Sequence, residues 1–364
     1  MKGSFAHVIA GAAVLVGAIA AAAAAAPNAP TNPLRVSMYA ANGAVEVIVT
    51  NTSRKAARVP GWQLPGNDPT AKLFQVSLDG APVAYQGRLA KRGLPTAEDF
   101  VVLPPGRSYR AVVDLAASYD MSRRGQYLVA LSSPLQYASL SDGSLLRTSR
   151  GLPMLLRSAP LRVWSDGAAA KTGTSPKAKP CNPKKQDCGG GSGNGISFVG
   201  CSATQSATAT DAVNQARAYS ENAKGYLASN TVGSRYTTWF GAYTSSRYGT
   251  ASQHFAAIDS AMDQNNGQIT INCGCNQNYY AYVYPTRPYE IFVCRAFWSA
   301  PLAGTDSKGG TLIHEMSHFN VVAGTDDIVY GQTGAKNLAA SDPAGALNNA
   351  DNHEYFAENN PKLN

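Results

Sequence analysis

Thr311-Leu312-Ile313-His314-Glu315-Met316-Ser317-His318-Phe319 is the stretch from which the rest of the chain is read. Its two histidines stand four residues apart, so on an α-helix they share one face and can hold a single zinc ion. Glu315 lies beside that position, where a carboxylate can take a proton from an attacking water and pass it to a leaving amine. Leu312, Ile313 and Met316 are the apolar residues that pin such a helix to a core, and Gly309-Gly310 precede them. Three fixed positions can coincide by accident, but the whole chain has only five histidines. A catalytic zinc takes three protein ligands and leaves a place for water. His353 is one candidate for the third. A short loop after Gly324 can also return Asp326 or Asp327 to the helix end, and spacing does not choose between these two.

Outward from this motif, helices are expected over 309–321 and 343–359, the second with Asp342 as cap and Pro343 at its first position. Ala207 to Leu227 reads as a long helix, and Tyr279–Tyr284 and Ile291–Cys294 as strands from their aromatic and β-branched content. Residues 196–364 therefore read as an α+β domain. Before it, residues 164–195 mix Lys171, Lys177, Lys179, Lys184 and Lys185 with Gly, Ser and Pro, a flexible linker that cannot build a core. Residues 33–163 read as an all-β, sandwich-like domain with short strands at Leu34–Tyr39, Ala44–Val49, Leu73–Leu78, Phe100–Leu103, Tyr109–Leu115 and Gln126–Leu131. Turns are expected at Asp79-Gly80 and Pro104-Pro105-Gly106. No catalytic constellation falls in this region. Residues 1–26, with Lys2 followed by an apolar run and small residues up to Ala26, read as a secretory signal peptide. No later segment reads as a membrane span.

The chain has 364 residues, room for two or three domains, and a formal net charge of +8. That charge is unevenly spread. From Ser192 onward, 9 Lys and Arg face 13 Asp and Glu, so the basicity belongs to the first half and the linker. No nucleic-acid-reading motif accompanies it. Six cysteines suit an oxidising compartment. Cys181 and Cys188 are placed to close a small loop within the linker. Cys273 and Cys275 are too close for an ordinary mutual bridge, so each is expected to pair elsewhere.

His314-Glu-x-x-His318 followed by Gly324-Thr325-Asp326-Asp327-Ile328-Val329-Tyr330-Gly331 resembles the aspzincins, the deuterolysin and peptidyl-Lys metalloendopeptidase family. The resemblance extends over about residues 196–364. It implies a zincin-like metalloprotease domain with one zinc per chain, held by His314, His318 and Asp327. Glu315 and Tyr330 are then the catalytic residues, the phenol of Tyr330 donating a hydrogen bond to the developing oxyanion. It also implies disulfides Cys201–Cys273 and Cys275–Cys294, and a bacterial-type propeptide upstream.

Ala350-Asp351-Asn352-His353-Glu354 carries the specificity expectation. Asp351 and Glu354 are three apart on the expected helix and share a face. In the peptidyl-Lys branch an aspartate and a glutamate at the matching positions line the pocket for the residue after the scissile bond. Two converging carboxylates suit a lysine ammonium. The expectation is therefore a secreted endopeptidase cutting on the N-terminal side of lysine, made as a latent precursor and acting as a monomer on protein or peptide substrates. Its own prodomain is the other expected partner, with no nucleic acid and no membrane after signal removal. Precursor cleavage is expected between Lys171 and Ile196. A broad-specificity deuterolysin-like endopeptidase is the alternative, with a cell-wall amidase or a binding protein further off. His254 reads as structural.

Overall fold

Apolar residues at alternate positions carry the N-terminal half into strands, as β1 (Leu34–Ala41) and β2 (Ala44–Asn51) illustrate. They pair antiparallel, with Val45, Val47 and Val49 buried and their neighbours turned outward. The computed structural model describes residues 31–41, 44–66, 70–167, 195–266 and 268–364. The expected signal peptide, most of the expected linker and the Cys181–Cys188 loop lie outside the described residues. β3 (Ala57–Pro60), β4 (Phe74–Leu78), β5 (Ala81–Pro82) and β6 (Leu89–Lys91) follow. Asp79 and Gly80 join β4 to β5 with φ of 53° and 79°, the left-handed pair a tight hairpin needs.

β7 (Phe100–Leu103), β8 (Ser108–Val113), β9 (Arg124–Pro134), β10 (Ser139–Leu140), β11 (Leu155–Arg157) and β12 (Leu161–Asp166) complete this half. The strand expected to reach Leu115 stops at Val113, because the Asp114 side chain accepts from the Ala116 N–H and starts a 3-10 turn. Three antiparallel sheets, ordered β1-β2-β8, β10-β3-β7 and β11-β9-β4-β5 with β12 beside β9, enclose one apolar core.

The C-terminal half runs β13 (Ile196–Val199), α1 (Ala203–Ala228), α2 (Ser234–Phe240), α3 (Ser245–Met262), β14 (Ile269–Asn272), β15 (Ala281–Val283) and β16 (Glu290–Val293), then α4 (Arg295–Ser299), α5 (Lys308–His318), α6 (Gly331–Ser341), α7 (Pro343–Leu347) and α8 (Ala350–Glu358). Its helices and sheet share a second core, from Ile196 to Ala357. Ser202 caps α1 in a reciprocal pair with Gln205. Cys201–Cys273 and Cys275–Cys294 form, the pairs the resemblance implied, and tie the ends of β13, β14 and β16 together. β13, β14 and β16 run parallel and β15 antiparallel to them. The fifth strand of this sheet comes from the other half: β6 pairs antiparallel with β15, Leu89 opposite Val283, Ala90 opposite Tyr282 and Lys91 opposite Ala281.

α5, the helix of the opening motif, is buried along its whole length. Ser307 caps it by accepting from the Gly310 N–H. The glycine pair permits this burial: a Cβ on Gly310 would stand 2.0 Å from Glu358 Oε1, and one on Gly309 2.7 Å from the Gln215 side chain. α5 ends at His318 rather than at the expected 321, since Phe319 is extended and the chain must double back through Gly324 at φ 61°. The single helix expected over 343–359 is two, broken at Asn348 and Asn349. Asn349 is drawn off the helix path because its side chain bonds the neighbouring loop: its Oδ1 accepts from the Ile328 and Val329 N–H groups, and its amide donates to the Val329 carbonyl.

Candidate metal centre

α5 presents His314 and His318 on one face, and the loop from Gly324 brings Asp327 against them. Asp327 Oδ1 lies 3.1 Å from His314 Nε2 and 3.5 Å from His318 Nε2. Four-coordinate zinc with bonds of about 2.0–2.1 Å separates its ligands by about 3.3–3.4 Å. None of these buried atoms is in hydrogen-bonding geometry with a partner, and neither is Asp327 Oδ2. They converge on a common point rather than on one another, as donors to a cation do. Burial disfavours charge on Asp327, but the two imidazoles outweigh it and hold its pKa well below the carboxylate range. Asp326, the alternative the loop length left open, points away and pairs with Lys72 Nζ at 3.0 Å. His353 is no ligand either: its Nε2 meets His254 Nδ1 at 2.9 Å, and burial pushes its pKa down to about 3.

The other ring nitrogens are also held. His318 Nδ1 lies 2.8 Å from the Thr325 carbonyl, while His314 Nδ1 faces Asp351 Oδ1 at 2.8 Å and Glu354 Oε2 at 3.3 Å, ion-pair distances outside hydrogen-bonding geometry. A carbonyl or carboxylate behind the ring is what orients an imidazole toward a metal. Glu315, the next residue on α5, is fully buried, and burial pushes its carboxyl up to about 7. A carboxyl so tuned exchanges protons readily near neutrality. Burial, with Asp327 nearby, raises the Tyr330 phenol well above its ordinary value, so it remains a donor.

Asp351 and Glu354 meet on α8 as expected, and a third carboxylate unforeseen in the sequence joins them. Asp306, just before the cap of α5, faces the same space. It accepts from Tyr355 Oη, and its neighbour Ser307 is held by Glu358. The three carboxylates surround the ammonium of Lys91, from β6, at 2.6 Å (Glu354), 3.2 Å (Asp306) and 3.7 Å (Asp351). The rings of Tyr280 and Tyr355 lie 5.2 and 5.7 Å from the same nitrogen. Burial opposes the charge, but Asp351, Glu354 and Asp306 prevail and raise the Lys91 pKa well above the ordinary lysine value.

β6 also covers Glu315 and Tyr330. Tyr330 Oη donates to the Ala90 carbonyl at 3.1 Å, and the Lys91 N–H donates to Glu315 Oε1 at 3.3 Å. Gln136, from the same half as β6, brackets the Tyr330 backbone, accepting from its N–H at 2.7 Å and donating to its carbonyl at 2.5 Å. Lys91 and Gln136 were not singled out in the sequence. The only trace is that the β region has just three lysines, Lys55, Lys72 and Lys91.

A sequence model described as lysine-specific metallo-endopeptidase matches residues 226–358. The chain is 42% identical over 322 residues to an extracellular protease of Aeromonas hydrophila, covering 88% of this chain and 89% of that one. It is 33% identical over 343 residues to a peptidyl-Lys metalloendopeptidase of Grifola frondosa, covering 88% and 89%. With the corresponding enzyme of Pleurotus ostreatus it shares 53% over 168 residues, 46% of this chain and 98% of that one. Among solved structures, a zinc peptidase from Grifola frondosa aligns at 44% identity with a TM-score of 0.43, covering 45% of this chain and all 100% of that one.

Proposed function

This chain belongs to the aspzincin family of zinc metalloendopeptidases, and from that premise we propose that it cuts on the N-terminal side of lysine and is made as a latent precursor. It is an extracellular, zinc-dependent hydrolase of protein or peptide substrates. The observation that carries the lysine reading is the acidic cage of Asp306, Asp351 and Glu354, closed around a lysine ammonium and opening beside Glu315 and Tyr330. Arginine's planar fork is wider than the compact ammonium that these carboxylates enclose.

His314, His318 and Asp327 are the residues that would hold zinc, which supplies Lewis-acid polarisation of the scissile carbonyl and activation of water. Glu315 takes the proton of the attacking water and delivers it to the departing nitrogen. Tyr330 donates to the carbonyl oxygen as negative charge develops there. Asp351 braces His314 while its charge also serves the lysine cage. The β half, residues 33–163, acts as the prodomain: β6 fills the cleft and Gln136 grips the Tyr330 backbone, so substrate is excluded while both stay in place. The Lys- and Gly-rich composition of the linker at 164–195 suits it to be cut, leaving a mature domain from about residue 196.

The test is mass spectrometry of peptides released from a denatured protein mixture by the activated enzyme, with the Glu315→Gln protein alongside. New N-termini should be overwhelmingly lysine. Glu315→Gln should bind zinc normally yet lose turnover by about a hundredfold to ten-thousandfold, the range of general acid–base catalysis. Cleavage before apolar residues as readily as before lysine would return the broad-specificity reading.

A further inference from the structure

β6 does more than obstruct. Four contacts place its backbone as a substrate's backbone must lie. Ala90 offers its carbonyl oxygen to Tyr330 Oη, at 3.1 Å. The next group along the chain, the Lys91 N–H, points at Glu315 Oε1 from 3.3 Å. The side chain following that bond is a lysine, seated in the acidic cage. The strand runs antiparallel to the edge strand β15, and the Tyr280 N–H donates to the Lys91 carbonyl at 3.0 Å beyond the ladder. A segment that merely filled the cleft need satisfy no particular register. This one puts a carbonyl at the oxyanion donor, an amide nitrogen at the proton carrier and a lysine in the lysine pocket, all about a single peptide bond. The other described lysines of this half do nothing comparable: Lys55 pairs with Asp142 and Lys72 with Asp326.

We propose that the Ala90–Lys91 peptide bond is this enzyme's own internal substrate, a second processing site besides the linker, cut within the same chain once the metal is bound. This rests on the lysine-specific endopeptidase reading. Water adds across the bond: the Ala90 carbon gains the hydroxyl and ends as a carboxylate, the C–N bond breaks, and Lys91 nitrogen takes the proton that Glu315 carries. No oxidant or second substrate is required. The cut is intramolecular because the bond is inaccessible to any other molecule, with Ala90 0% and Lys91 1% exposed. A break in the linker alone leaves β6 seated in the cleft. Severing Ala90–Lys91 divides a three-residue ladder in two, and the halves then leave separately.

The experiment uses full-length precursor prepared with a chelator, as wild type, Glu315→Gln and Lys91→Gln, and follows intact mass and new N-termini after zinc is added. Wild type should yield a fragment beginning at Lys91, at a first-order rate unchanged by dilution. Lys91→Gln, which gives up the ion pairs that seat β6 in the acidic cage, should lack that fragment while still cutting added lysine peptides. In the inert Glu315→Gln precursor, which tests the geometry without turnover and whether or not Lys91→Gln folds, Lys91 should acylate far more slowly than Lys55. An active wild-type preparation that keeps Leu89 to Arg92 uncut overturns the proposal. So does a Lys91 fragment whose rate rises with protein concentration, or Lys91 labelling as fast as Lys55. Added peptides cut before residues other than lysine would sink the specificity reading instead; the internal cut then stands if the Lys91 fragment still forms at a dilution-independent rate and falls if it does not.

Discussion

Asp351 and Glu354 sit one helical turn apart and both approach His314 Nδ1, at 2.8 and 3.3 Å, and Lys91 Nζ, at 3.7 and 2.6 Å, so each is nearer to a different partner. Asp351 Oδ2 accepts from the Gly331 N–H at 2.6 Å and its Oδ1 stands 2.8 Å from His314 Nδ1, so it braces both the motif loop and the first histidine of α5. Glu354 Oε2 makes the shortest contact to the lysine ammonium, 2.6 Å. Removing one partner of a buried ion pair costs about 3–5 kcal/mol, because the other charge is left stranded. Glu354→Gln should therefore lower kcat/KM for lysine-directed cleavage by a factor on the order of a hundred or more, with little change for a neutral residue of similar length. Zinc content should stay stoichiometric. Asp351→Asn should also weaken zinc, by about 10–100-fold, as removal of a carboxylate behind a ligating histidine does. Peptide kinetics paired with metal analysis separate the two, and equal zinc loss in both variants would refute the division of labour.

Among the elements, the break between α7 and α8 matters more than any whole helix. Asn349 at that break bonds Ile328, Val329 and Asn352, all fully or partly out of solvent. It fixes the loop that carries Asp327 and Tyr330. Asn349→Ala leaves the Ile328 and Val329 N–H groups without their acceptor, at about 1–3 kcal/mol for each one that stays buried. Zinc affinity should fall by about tenfold or more while far-ultraviolet circular dichroism stays close to wild type, because the helices themselves keep their core contacts. Competition against a chelator of known affinity would measure this. Unchanged affinity would mean that the loop is held from elsewhere.

At the scale of the molecule, the two halves share one sheet, and three side chains of the first half grip the catalytic loops of the second. Lys91 enters the acidic cage, Gln136 brackets Tyr330 and Lys72 pairs with Asp326. Only the Lys72 pair is open to solvent to some degree on both sides, with Lys72 exposed and Asp326 half-buried, and a surface pair of that kind contributes about 0–1 kcal/mol. The hold should therefore resist salt. Glu315→Gln precursor nicked in the linker with trace trypsin should elute as one particle in both low and high salt. Lys91→Gln combined with Glu315→Gln should loosen it. Separation of the nicked halves at low salt would show that the linker is what holds them together.

The grouping of His314 and His318 with the loop after Gly324 was legible from the sequence because it depends on local spacing. A spacing of four between the histidines defines a helix face, and the eight residues from Gly324 to Gly331 carry Asp327 and the phenol of Tyr330. The strand alternation of Val45, Val47 and Val49 and the turn at Asp79-Gly80 were legible for the same reason. Family resemblance added what spacing left open, the choice of Asp327 over Asp326 and the pairing of four cysteines. Tertiary structure alone decided where α5 stops, why the last helix breaks, and that Asp306 joins Asp351 and Glu354. It alone decided the meaning of Lys91, one ordinary lysine among three in the β half. Lys91 and Glu354 are separated by 263 positions, so no local pattern links them. Their meeting is set by which sheet edge remains open and which strand reaches it, and those are properties of the assembled chain.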